Sequence, residues 1–211
     1  MLELGKGYHE IFGRAVDAIP AFRERGLTFM SGKTLMERCL QADGNIGENF
    51  RDNHFYIALF NVKDPDDDRV KVVLANEHPE LLDRIVPGVE LIDEGGLPIE
   101  REHGRNFYRD LSGFKIGRNS ASELQNDPYA LSLLRKGFWE FVAEGDIKLA
   151  RDFRNRLAQA NGLSEDQVMG VCPSVGKGAR LYSVYPFNRG FSTYGLTALN
   201  YNISHFVGVE N

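Results

Sequence analysis

Apolar residues recur along this chain at two spacings, one helical and one extended, and the switches between them mark out the expected elements. Ile11, Phe12, Ala15, Val16 and Ile19 share one side of a helix over residues 7–19, which Pro20 should stop. Ser31 suits the N-cap of a second helix reaching about Ala42, with Leu35, Met36, Cys39 and Leu40 as its apolar face. The pattern turns extended over residues 54–62 and 70–75, and the acidic link between them suits a hairpin loop. Pro79 opens a short helix over residues 78–86, Gly88 ends it, and residues 89–92 read as a strand.

Residues 93–122 lose periodicity and carry Gly95, Gly96, Gly104, Gly113 and Gly117. That stretch reads as a mobile connection or lid. Beyond it, Leu131, Leu134, Phe138, Phe141 and Val142 form one helical face, and Ile147, Ala150, Phe153, Leu157 and Ala160 form the next. Gly145 and Asp146 separate the two and Gly162 ends the second, which predicts a helical hairpin at 128–161. Strands are expected again at 180–187, 191–200 and 202–209, the first two joined by a turn at residues 188–190. Apolar side chains take both parities at Leu181, Tyr182, Val184 and Tyr185, so this strand should be covered on both faces and lie inside the sheet. The expected fold is a single α+β domain over residues 1–211. Its mixed or antiparallel sheet joins the segments near 54–92 and 180–209, packed by the N-terminal helices and the hairpin.

Charge adds one strong irregularity. Asp and Glu are absent from Gln167 through Val209, while the same stretch keeps Lys177, Arg180, Arg189 and His205. It also holds Tyr182, Tyr185, Phe187, Phe191, Tyr194, Tyr201 and Phe206. Such a stretch is either buried sheet or a surface that meets something negative. Residues 64–102 carry twelve acids and four bases, a net of −8 within an overall −5, so the remainder is +3. The overall negative balance argues against nucleic-acid binding. Two cysteines are too few for a disulfide framework, the first 19 residues are too polar for a signal peptide, and the longest apolar run is far too short for a membrane span. A cytoplasmic protein with no membrane association is expected.

Several motifs resemble sites and fall short. Gly32, Lys33 and Thr34 match the end of a phosphate loop, but the glycine required five positions earlier is Leu27. Asp64, Asp66 and Asp68 have the alternate spacing of calcium ligands, yet Arg69 and Ala75 stand where the loop needs glycine and glutamate. His78 and Glu80 have the His-x-Glu spacing of zinc deaminases without the paired cysteines. No metal site is expected. Arg101, Arg105 and Arg109 would make a cationic stripe on a helix, balanced by Glu100, Glu102 and Asp110.

Cys172 precedes a glycine-rich stretch, residues 173–179, that ends at Arg180. Backbone amides of Gly176, Lys177 and Gly178 can approach an anion, and arginine suits bidentate phosphate or carboxylate contacts. Eight positions separate Cys172 from Arg180, against six in the tight loop of cysteine phosphatases. The expected function is therefore binding of a small anionic ligand, with or without catalysis. Lys177, Arg180 and Arg189 would hold the anion and Tyr182 and Tyr194 would line the site. Cys172 and His205 are the catalytic candidates, and no cofactor is specified. The alternative is a self-assembly or protein-interaction module using the aromatic, carboxylate-free C-terminal region.

Overall fold

The computed structural model describes residues 7–41, 54–63, 70–92, 95–99, 137–165, 168–172, 177–184, 192–202 and 204–210. Eight strands form one mixed sheet: β1 (Tyr8–Gly13), β2 (Thr28–Phe29), β3 (Phe55–Lys63), β4 (Val70–Leu74), β5 (Gly170–Cys172), β6 (Gly178–Val184), β7 (Ser192–Thr197) and β8 (Ser204–Val209). The order is β1-β8-β3-β6-β7-β5, with β2 on β8 and β4 on β3. β3 meets β8 and β5 meets β7 in parallel, and the other pairs are antiparallel. The helices are α1 (Ala15–Glu24), α2 (Gly32–Gln41), α3 (Pro79–Asp83), α4 (residues 137–142) and α5 (Ile147–Asn161). The α+β class and the joining of middle and C-terminal strands in one sheet agree with the pattern of the sequence.

Both faces of the sheet are covered. On one, Phe55, Ile57 and Leu59 of β3 and Tyr182 and Val184 of β6 pack with Leu35 and Met36 of α2, Phe138 of α4, and Phe153 and Leu157 of α5. On the other, Tyr56, Ala58, Phe60 and Val62 of β3 and Ala179 and Leu181 of β6 pack with Ile19 and Phe22 of α1 and Leu81 of α3. The two sets alternate along each strand, as a pleated strand buried on both sides requires. The apolar run Phe55–Phe60 and the mixed parity of β6 have this single cause.

Local signals place the caps. Ser31 Oγ accepts from Thr34 N at 3.2 Å at the start of α2, and Asp146 Oδ1 accepts from Leu149 N at 2.9 Å at the start of α5. Gly162 ends α5 at φ 63°, the left-handed conformation that favours glycine. Trp139 Nε1 donates to Met169 O at 2.6 Å, tying α4 to the segment entering β5. The described part of the expected hairpin, residues 137–161, is helical on either side of a turn.

Three expectations are corrected. Residues 8–13 are strand rather than helix, because each pairs with β8 from Tyr8↔Val209 to Gly13↔Ser204. The helix therefore starts at Ala15 and runs through Pro20 instead of stopping there. Losing one backbone hydrogen bond at proline is offset by burial of Val16, Ala18, Ile19 and Phe22. Residues 89–92 form no strand: the chain folds back at Gly95 so soon that only one bridge, Ile92↔Gly96, can form. Separately, the described residues 95–99 of the segment read as a connection or lid include Leu97, which pairs with β6, and Leu97 and Ile99 are in the core. The rest of 93–122, the 64–69 link and the 128–136 part of the hairpin lie outside the described residues.

Candidate functional site

β6 is central, and all seven of its residues are buried. Among them is Arg180, only 5% exposed. Arg180 is in register with Asn61 of β3, and Tyr182 shares its side of β6 by strand alternation. The Tyr182 hydroxyl donates to Asn61 Oδ1 at 3.1 Å, and neither residue is exposed. The Asn61 carboxamide and the Tyr182 phenol are thus bonded within the apolar face formed by β3 and β6, and Arg180 follows in register next to Asn61. Register shifts interrupt β3 between Ile57 and Phe60 and the β6–β7 ladder between Leu181 and Ser183. Such bulges re-aim side chains and recur beside functional sites.

Glycine lets another piece of backbone reach this group. Leu97 N donates to Ala179 O at 2.9 Å and Ala179 N to Leu97 O at 2.8 Å, which seats residues 95–97 on the start of β6. A Cβ on Gly96 would stand 2.4 Å from Lys177 O and 3.5 Å from Arg180 Nε. A Cβ on Gly178 would stand 2.5 Å from Leu97 O. Neither position has room for a side chain. Lys177 is exposed immediately before β6, at the edge of this junction.

The expected site residues therefore separate. Lys177 and Arg180 lie together at the start of β6. Tyr182 is a core residue bonded to Asn61. Tyr194 lies on β7 in register with Ser183 and, on its other side, with Cys172 of β5. Arg189 and residues 173–176 lie outside the described residues, as do Arg101, Arg105 and Arg109. Among the aromatics read as an interaction surface, Tyr182 and Phe206 are buried and Tyr201 is 53% exposed.

His205 gains a partner that the sequence did not suggest. Its Nδ1 lies 2.9 Å from Glu10 Oε1, where β8 runs beside β1. The His54 ring lies tilted 5.1 Å away and the Phe12 ring edge-on 4.0 Å away, ring centre to ring centre. This group and Arg180 are separated by β3, about 10 Å across the strands and about 13 Å along them. Asn61 and Glu10 were the polar residues missed. Asn61 carried a faint signal, a lone amide ending the apolar run of β3, whereas Glu10 acquires meaning only through strand register.

The resembling motifs have structural explanations. Gly32 faces α4, where a Cβ would come 2.2 Å from Val142 Cγ1, so helix packing accounts for the glycine. His78 Nδ1 and Glu80 Oε1 pair with each other at 3.2 Å. Asp64, Asp66 and Asp68 lie outside the described residues. Among the described residues, no three His, Cys, Asp or Glu side chains converge in a way that would hold a metal ion.

Burial pushes the Cys39 thiol of α2 up to about 12. The nucleophile is the thiolate, so native Cys39 is expected to be inert near pH 8. In a Cys172→Ser background, iodoacetamide should alkylate the native protein at least about a hundredfold more slowly than the urea-unfolded chain. Equal rates would show that Cys39 is accessible and ionised.

No helix among the described residues is long and apolar enough to cross a membrane. In comparisons with known proteins, no family model, curated protein or solved structure matches this chain.

Proposed function

We propose that this protein binds a small anionic molecule, bearing phosphate or carboxylate, at the start of β6. The observation that carries this reading is a permanently charged guanidinium, Arg180, 5% exposed, on an inner strand in register with Asn61 and close to the backbone of Gly96. Burying such a charge costs several kcal/mol unless anions and acceptors surround it. Its planar fork of five donors has capacity for an internal partner and a ligand together. Lys177 adds a flexible charge at the edge, and the absence of Asp and Glu from Gln167 through Val209 removes competing carboxylates from the local sequence.

A thermal-shift series with inorganic phosphate, nucleotides, sugar phosphates and dicarboxylates tests it. Ligand at a hundred times its dissociation constant adds about 2.7 kcal/mol, or roughly 5–10 °C for a chain of this size. Arg180→Lys keeps the charge and loses the fork, so it should weaken binding by about tenfold or more. No shift with any anion, or a shift undiminished in both Arg180→Lys and Lys177→Ala, would refute the assignment.

A further inference from the structure

Three His–carboxylate pairs are present among the described residues, and one differs from the other two. His9–Glu210 and His78–Glu80 have well-exposed carboxylates, with side-chain exposures of 58% and 52%. In the third, the Glu10 side chain is 1% exposed and that of His205 is 12% exposed. Glu10 Oε1 is bonded to His205, but Glu10 Oε2 is fully buried and has no hydrogen-bond partner among the described residues. A buried carboxylate oxygen without a donor forfeits its hydration and receives nothing in return.

The chemistry of the pair defines what would satisfy it. A carboxylate only accepts hydrogen bonds, so the ring nitrogen facing it, Nδ1, carries a proton. The Glu10 carboxylate therefore presents an acceptor, Oε2, that the pair itself does not use. Aromatic rings stand around it: Phe12 edge-on at 4.0 Å, His54 at 5.1 Å and Phe55 edge-on at 6.1 Å from the His205 ring. Phe12 is itself 55% exposed, so its ring is open to a ligand from solvent. Negative charge with aromatic walls selects an organic cation through charge-assisted hydrogen bonds and cation–π contact.

We infer that Glu10 and His205 form a second binding site, distinct from that of Arg180, which takes a small amine or amidine with its donor on Glu10 Oε2 and its apolar body against Phe12. Benzamidine is the probe, and benzamide, its uncharged counterpart, is the comparison. Benzamidine should bind the wild-type protein with a dissociation constant of roughly a millimolar, as befits so small a ligand. It should move the His205 ring resonances in NMR spectra while leaving those of His9 and His78 in place. Benzamide should bind at least about tenfold more weakly, and Glu10→Gln, which keeps the shape and removes the charge, should lose the preference for benzamidine. The wild-type comparison decides independently of how Glu10→Gln folds: equal binding of the two probes, no effect at 10 mM (about ten times the expected constant), or changes confined to His9 and His78 overturn the inference. Zinc chloride moving His54 and His205 together at lower concentration than benzamidine would also overturn it, in favour of a metal centre.

Discussion

Phe153→Ala is expected to cost the fold about 3–5 kcal/mol, the usual loss for a fully buried phenylalanine. Phe153 lies in the middle of α5, is completely buried, and belongs to the cluster that includes Leu35, Phe138, Leu157 and Tyr182. Its removal leaves a cavity between helix and sheet, which neighbours from several elements cannot collapse to fill. Phe12→Ala supplies the contrast, since a ring 55% exposed has much less burial to lose. Urea unfolding of both variants gives the comparison, with the midpoint falling and the slope unchanged. A loss at Phe153 no larger than at Phe12 would mean that α5 does not sit on the sheet.

Gly178→Ala should be nearly as costly, about 2–5 kcal/mol, for a different reason. Gly178 has φ 81°, where an L side chain is strained by roughly 1–2 kcal/mol. Its Cβ would also stand 2.5 Å from Leu97 O, the acceptor of the Ala179 amide. Backbone rather than a flexible side chain must then move, which adds a further cost of about 1–3 kcal/mol. Gly162→Ala isolates the first contribution: φ is 63° there, but nothing lies within 4 Å of the added carbon. Hydrogen exchange at Leu97 and Ala179 should accelerate in Gly178→Ala alone. Equal losses at the two glycines would remove the close approach of residues 95–97, and with it the support for the position of Arg180.

What the sequence revealed, and what it hid, follows the range of the interactions involved. Ser31, Asp146 and Gly162 act on backbone groups within a few residues, so their helix ends were legible. β6 was legible as an inner strand because burial on both faces writes itself into a short run of side chains. β1 was not. Ile11, Phe12, Ala15, Val16 and Ile19 do have helical spacing, and only pairing with β8, nearly two hundred residues later, makes residues 8–13 extended. The same distance hid Glu10, which becomes the partner of His205 through that register. Arg180, Lys177 and Tyr182 were read as site residues from composition and glycine spacing, and an aromatic in a basic region looks the same in sequence whether it faces a ligand or Asn61. The strand expected at 89–92 failed because its apolar residues had no room for a ladder before Gly95 and Gly96 turned the chain.

The central claim, that the buried guanidinium of Arg180 takes an anion, is tested most directly by following its Nε–Hε resonance in ¹⁵N-arginine-labelled protein during titration with inorganic phosphate and then with a nucleotide or dicarboxylate. Binding at Arg180 predicts a saturable displacement of that resonance with at least one anion, absent from matched additions of sodium chloride and absent for Arg14, which is committed to Asp17 at 2.7 Å on the surface. A resonance that stays fixed through the whole series would contradict the account and leave Arg180 as a purely structural charge in the core.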